Sequence, residues 1–228
     1  MSALTTRRNA LVLPAAVAAT LPMNLATLRT MNPTSVKVPG FGGIVPTSNY
    51  TIETWVNAPT AQNASLYSVN FLGANRLNVH YLYNGPANCY FDSGNISNGG
   101  RLVFAYPTAW LGANVHLALS VDATPGANAM RWYANGVLYA SNAVFTPFTT
   151  VTSDLLIGDG AGRQAGKMGE FRLWNKVRSA TEIQADMNNT INGPRPNLLA
   201  CWRMDEGGTA VGTQILDRSG NAYHGLVY

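Results

Sequence analysis

The sequence predicts an all-β fold: a two-sheet sandwich carrying one short helix, preceded by an extended N-terminal arm. Three observations predict it. Short apolar runs recur between Gly, Pro and Asn clusters from Val36 onward. Val115, Leu117, Leu119 and Val121 alternate with His116, Ala118 and Ser120, the period-2 pattern of a strand with one face in a core. Asn135-Gly136 sits between two apolar runs and supplies the two positive-φ positions of a type I′ hairpin turn.

The N-terminal stretch is the first element to justify. Thr6-Arg7-Arg8-Asn9 followed by Ala10 to Leu21 has the charged start and apolar run of a secretory or twin-arginine signal. Pro14 and Pro22 interrupt that run, and it is too short to span a bilayer. The reading favoured by these interruptions is an uncleaved arm over residues 1–35. Its apolar Leu11, Leu13, Leu21 and Leu25 need cover from another subunit, and Arg7 and Arg8 would meet any anionic partner, an exposed basic tail without a specific partner being an equal alternative. The domain proper runs over residues 36–228.

Candidate strands then follow at Thr51 to Val56, Leu66 to Phe71, Arg76 to Leu82, Arg101 to Tyr106, Val115 to Val121, Ala129 to Tyr133, Val137 to Ser141, Leu155 to Gly158 and Glu170 to Trp174. Ser179 with Glu182 forms a capping box, so a helix is predicted over 180–188, with Ile183 and Met187 as its apolar stripe. Asn192-Gly193-Pro194-Arg195-Pro196 stops the chain before Leu198 to Met204. That run is apolar on both faces and is predicted to be a central strand.

Composition narrows the setting. Of the 228 residues only 11% are charged, against about 25% in an average soluble protein. Such charge poverty suits a secreted, virion or otherwise assembled protein. Arg7, Arg8, Arg29 and Lys37 stand in residues 1–48 with no acid; the fifteen bases less these four match the eleven acids, so the net +4 belongs to residues 1–48. The pI of 9.2 therefore predicts no nucleic-acid groove on the sandwich. Two cysteines, Cys89 and Cys201, are too few for a disulfide framework, and whether they are bridged stays open.

Several stretches resemble one family. Asn49-Tyr50-Thr51-Ile52-Glu53-Thr54-Trp55-Val56, His116 to Asp122, Trp132 to Leu138 and Gly169-Glu170-Phe171-Arg172-Leu173-Trp174-Asn175 with Ser179 to Ile183 occur in the order of LamG-like domains of the concanavalin A-like lectin/glucanase superfamily. Leu199 to Gly207 with Asp217 to Asn221 resembles a recurrent tail element of those domains. The resemblance covers roughly residues 36–228 and implies a concanavalin A-like jelly roll.

It also frames the site candidates. Retaining glucanases of the superfamily place carboxylates in an E-x-D-x-x-E pattern that sets them roughly 5 Å apart. No such pattern occurs in this sequence, and the adjacent pair Asp205-Glu206 would point to opposite faces of a strand. The chain is therefore read as not an enzyme. His80, His116 and His224 are scattered, and read as packing or surface histidines without a zinc site. Calcium at a sandwich rim, implied by the resemblance, would draw on Asp122, Asp159 and Asp217; a turn-forming role explains each of these equally well. Otherwise no cofactor is expected. Tyr81, Tyr83, Asn84, Asn88 and Tyr90, with Tyr106 and Trp110, are the candidate glycan platform, the alternative being that these rings pack a wide curved sheet. Trp55, Trp132, Trp174 and Trp202 lie in strands and read as core.

The function that follows is a non-catalytic structural and recognition protein on a large homo-oligomeric assembly. A virion is the first candidate, as capsid decoration or a tail or fibre component with glycan binding, at the virion surface. The alternative is a secreted or cell-surface lectin-like carbohydrate-binding or adhesion domain.

Overall fold

A computed structural model describes residues 20–22, 29–31, 34–83, 85, 87–124 and 128–228. Its strands in chain order are β1 Thr20–Pro22, β2 Arg29–Met31, β3 Val36–Val38, β4 Tyr50–Asn57, β5 Tyr67–Val69, β6 Asn75–Tyr83, β7 Asn88–Asn95, β8 Arg101–Ala105 and β9 Val115–Val121. There follow β10 Met130–Ala134, β11 Val137–Asn142, β12 Leu155–Ile157, β13 Gly166–Trp174, helix α1 Ala180–Asp186, β14 Asn189–Ile191, β15 Leu198–Trp202, β16 Gln214–Ile215 and β17 Gly225–Val227.

Apart from β1 and β14, which pair as a separate two-stranded sheet, they form the two packed sheets of a concanavalin A-like sandwich. One sheet runs β11-β10-β9-β4-β13-β15, with β2 also paired to β13; the other runs β16-β17-β3-β12-β5-β6-β7-β8. Every strand pair between named strands is antiparallel. Pleat alternation decides what lies between the sheets. From the first sheet come Ile52, Leu117, Leu119, Trp132, Phe171 and Trp202, and from the second Tyr67, Val79, Cys89 and Phe91, all fully or almost fully buried. Tyr67 meets Phe171 edge-on at 5.2 Å and Phe104 meets Trp132 at 5.1 Å, tying one layer to the other. Across the same gap Tyr50 Oη and Ser93 Oγ share a 2.6 Å hydrogen bond.

The first sheet is buried on its outer face as well, which explains why all seven residues of β9 are inaccessible. Helix α1 lies there, placing Ile183 against Ala118 and Tyr133. The expected capping box is present: Ser179 Oγ accepts from the Glu182 amide, and Glu182 Oε2 accepts from the Ser179 amide. Beneath the helix are Trp55 and Trp174, so of the four strand tryptophans only Trp132 and Trp202 join the central core cluster. The Asn135-Gly136 turn has φ of 50° and 74°, as a two-residue β10–β11 hairpin with a right-handed twist requires.

Two expectations are corrected, and a third finds no support among the described residues. Leu198 to Met204 was expected at the centre of a sheet, but β15 lies at its edge beyond β13. Both its faces are covered because Ala200 and Trp202 enter the core while Leu198 and Cys201 join Trp174 and Ile191 on the other side. Asn88–Asn95, which falls between the candidate strands Arg76 to Leu82 and Arg101 to Tyr106, is a full strand. The expected shelter of the N-terminal stretch by another subunit finds its described pieces paired within the chain: β2 joins β13, and Leu21 of β1 is in register with Thr190 of β14. Arg29 Nη2 also donates to the Gly208 carbonyl at 2.7 Å. Arg7, Arg8, Leu11, Leu13 and Leu25 lie outside the described residues.

Cys89 and Cys201 are buried and unbridged. Burial pushes the Cys89 thiol up to about 12 and the Cys201 thiol well above its ordinary value, so neither is a thiolate at neutral pH. Among the described residues no helix is long and apolar enough to cross a membrane.

His116 gives the sandwich a pH dependence. It is 1% exposed, and burial, aided by the Arg172 and Arg178 charges, holds its pKa well below the ordinary value. A histidine that stays neutral when folded takes up its proton preferentially when unfolded. Stability is therefore full above about pH 6.5 and falls as pH drops towards the folded value, by up to about 1.4 kcal/mol per pH unit. Urea unfolding at pH 7.5, 6.5 and 5.5 should record that slope, and His116→Gln should reduce it to the share of His80, whose pKa burial also lowers; an unchanged slope would remove His116 as a source.

Candidate functional site

Strands β5 to β8 present a polar row on the face turned away from the core. Register pairs Ser68 with Asn78, Asn78 with Asp92 and Asp92 with Arg101. The neighbouring row sets His80 beside Tyr90, and Tyr90 beside Val103. Alternation produces both rows, because Leu77, Val79, Cys89, Phe91 and Leu102 take the inward positions between them.

Asp92 anchors the site. It is fully buried, and its carboxylate is gripped by two guanidinium groups. Arg76 donates from Nε at 2.9 Å and approaches with Nη2 at 2.7 Å; Arg101 donates from Nε at 2.6 Å to one oxygen and from Nη2 at 2.8 Å to the other. Such two-pronged, charge-assisted contacts fix orientation as well as adding energy. Each guanidinium also lies over a ring, Arg101 5.1 Å from the centre of Tyr90 and Arg76 5.5 Å from that of Phe71.

The rings converge on His80. Tyr83 is 4.8 Å from it, Tyr90 5.9 Å and Phe71 6.1 Å, while Tyr83 and Tyr90 stand nearly perpendicular at 5.8 Å. His80, Tyr83, Tyr90 and Arg101 line a cleft of about 210 Å³. The Ala64 carbonyl can only accept, so the His80 Nδ1 at 2.9 Å carries the proton and Nε2 is left as an acceptor. Burial lowers the His80 pKa, which keeps the ring neutral at neutral pH. Asn78, beside Asp92 in the floor row, is fully buried, with both atoms of its amide unpartnered. Orphaned groups of this kind cost about 1–3 kcal/mol each unless water or a ligand hydroxyl meets them.

A β-bulge selects which tyrosines reach the cleft. Pairing jumps from His80–Tyr90 to Tyr83–Asn88, so Tyr81 and Leu82 together oppose Cys89, and Leu82 takes φ of 54°. One extra residue reverses the alternation, returning Tyr83 to the His80 face. Tyr81 instead points inward, fully buried and stacked on Trp110 with planes 16° apart. Tyr106 and Trp110 pack on the core cluster away from the cleft, Trp110 also against Phe104 and Tyr139. Of the platform expected from sequence, Tyr83 and Tyr90 are thus brought together, with Asn88 Nδ2 near the Tyr90 hydroxyl at 3.4 Å. Tyr81, Tyr106 and Trp110 are not, and Asn84 lies outside the described residues. Sequence reasoning missed His80, Asp92 and Arg101, whose signal was the polar alternation of Arg76-Asn78-His80 and Tyr90-Asp92.

The three candidate calcium ligands are dispersed among separate turns. Asp122 accepts from Arg131 Nη2 at 2.8 Å and from the Thr124 amide. Asp159 accepts from its neighbour Gly160 and from the Tyr228 hydroxyl at 3.0 Å. Asp217 accepts from the Cys201, Ser219 and Tyr223 amides. Among the described residues no three His, Cys, Asp or Glu side chains come together as a metal-holding group. A second hollow of about 310 Å³ beside α1 is lined by Trp174 and charged groups. Its Lys176–Glu182, Arg178–Asp186 and Arg195–Asp186 contacts at 2.6, 2.5 and 3.3 Å satisfy one another.

Comparison with known proteins places this architecture. A laminin G family model described as the concanavalin A-like lectin/glucanases superfamily matches residues 31–184, more than half of the chain. The chain belongs to that superfamily. No curated protein matches it. Among solved structures, a Bacteroides ovatus protein inferred to bind carbohydrate superposes with a TM-score of 0.64 at 17% identity, covering 87% of this chain and 56% of its own. The chain thus spans little more than half of that protein. Domain 4 of AbnA, a GH43 extracellular arabinanase from Geobacillus stearothermophilus, solved in complex with arabinotriose, gives 0.56 at 19% identity, covering 75% of this chain and 81% of that one. The CBM40 of a Ruminococcus gnavus IT-sialidase gives 0.53 at 19% identity, covering 69% and 94%. At these identities the likeness is one of fold. Within the superfamily the model match ends at residue 184, yet β15, β16 and β17 follow it and complete both sheets.

Proposed function

We propose that this chain is a non-catalytic, lectin-like module that binds a glycan in the cleft of His80, Tyr83, Tyr90 and Arg101. The observation that carries the reading is the convergence of three rings and a guanidinium on one polar sheet face. Sugar rings offer CH faces to aromatic side chains and hydroxyls to polar ones, and this cleft supplies both together. Superfamily membership and structural likeness to a domain solved with arabinotriose support the reading. Binding is favoured over hydrolysis by the carboxylate inventory. Double displacement needs two acids roughly 5 Å apart, whereas the floor supplies Asp92, buried and held by two arginines.

A secreted or cell-surface setting suits a glycan-binding module of this kind. The described residues give no support to a virion shell, since β1 and β2 pair with strands of the same chain.

Affinity electrophoresis and calorimetry against a panel of plant, bacterial and host polysaccharides test the proposal. Tyr83→Ala and Tyr90→Ala should each cost about 2 kcal/mol of binding, roughly a 30-fold loss, while the melting temperature stays near that of the parent. Retention on no glycan of the panel, or ring variants that bind like the parent, would overturn it.

A further inference from the structure

We propose that the cleft selects an anionic sugar residue, carboxylated or sulfated, through Arg101. This rests on the reading that the cleft binds glycans. The argument begins with charge. Among the described residues, the charged groups that act on His80 at the centre of the cleft are Arg76, Arg101 and Asp92, two cations against one anion. His80 adds nothing, because its Nδ1 proton is committed to the Ala64 carbonyl and its ring is neutral.

Exposure then decides which charge a ligand meets. The Asp92 side chain is fully buried, and both of its oxygens already accept from guanidinium groups. Arg76 is 14% exposed and spends Nη1 on the Phe71 carbonyl. Arg101 is 32% exposed, lines the cleft and engages Asp92 through Nε and Nη2, so among the described residues Nη1 meets no acceptor. Contact with the Tyr90 ring holds the guanidinium plane in place without consuming a donor. A neutral sugar filling this cleft strips water from the Nη1 of a guanidinium that shares its one acid with Arg76; an anionic group on the sugar replaces that water with a charge-assisted hydrogen bond. The volume of about 210 Å³ lies below the roughly 300–1,000 Å³ of pockets that enclose drug-sized ligands, so one sugar residue is recognised, with the rest of the glycan outside.

The test compares matched polymers on the full chain by calorimetry: polygalacturonate against its fully methyl-esterified form, and κ-carrageenan against its desulfated form. At least tenfold tighter binding of a charged member than of its neutral counterpart is expected, weakened by added salt. The pair that shows the preference distinguishes carboxylate from sulfate. Arg101→Gln should bring charged and neutral polymers to the same affinity, and Arg101→Lys should keep part of the preference. Equal binding of charged and neutral polymers by the parent, which needs no variant to fold, overturns the selectivity while leaving glycan binding standing. A preference that survives Arg101→Gln assigns capture to another basic region, such as Arg7 and Arg8, and also overturns it. Binding to none of these polymers or to the wider panel removes both proposals.

Discussion

A chain ending at Asn197 should not fold. Residues 198–228 supply β15 to one sheet and β16 and β17 to the other, so their loss opens both layers together. Trp202 shows the scale. It is fully buried, meets Phe41 edge-on at 5.2 Å and Phe171 at 5.8 Å, and donates from Nε1 to the Tyr223 carbonyl at 2.7 Å. Truncating one such tryptophan to alanine costs about 3–5 kcal/mol, against a total stability of about 5–15 kcal/mol for a whole domain. The shortened chain also loses Ala200, Met204, Ile215 and Val227 from the core and leaves one side of β3 and most of one side of β13 without partners. The expected result is an aggregation-prone product with no cooperative melt and no near-ultraviolet circular dichroism. A soluble 1–197 fragment with a sharp thermal transition would show that the family-matched residues 31–184 hold the sandwich alone.

The sandwich was legible because its strongest strands carry period-2 alternation over enough residues to exclude other readings. Val115 to Val121 reads at its observed bounds for that reason. Asn88–Asn95 did not read as a strand because its inward positions are Cys89, Phe91, Ser93 and Asn95, of which only two are strongly apolar. Its pairing with β6 and β8, not its own pattern, makes it a strand. The same limit governs the site. Tyr83 and Tyr90 are visible as aromatics close in sequence, but His80, Asp92 and Arg101 become neighbours only when three strands lie side by side. The bulge at Tyr81-Leu82 is invisible to alternation, which sends Tyr81 and Tyr83 to one face; the structure separates them. The edge position of β15 escaped because burial on both faces ordinarily marks a central strand. In this chain the β14 segment covers the second face through Ile191.

Replacing Arg172 with alanine should be the most damaging single change on the helix-covered face. Its guanidinium is fully buried beneath α1 and compensates two acids, Glu170 at 3.0 Å and Glu53 at 3.4 Å, while donating to the Asp186 carbonyl at 3.2 Å and to that of Asn189. Glu53 is fully buried too, and Arg178 at 2.5 Å is its other cation. Burial raises the Glu53 pKa, and the Arg178 and Arg172 charges are what oppose that rise. Without Arg172, Glu170 loses its ion-pair partner and Glu53 keeps Arg178 alone, and breaking a buried pair in this way costs about 3–5 kcal/mol. The sign of the pH dependence follows. An acid whose folded pKa is raised loses stability as pH climbs through that value, so the deficit of Arg172→Ala should be larger at pH 8 than at pH 5. Removing Arg172 also relieves His116 of one repelling cation, which moves the low-pH side in the same direction. Adding Glu170→Gln to Arg172→Ala should recover part of the loss, because the uncompensated charge and not the missing side chain volume dominates. Urea midpoints for parent, single and double variants at both pH values measure each of these quantities. A single variant within about 1 kcal/mol of the parent at pH 8 would mean that the change leaves no uncompensated buried charge, and that Arg172 is held by its carbonyl contacts alone.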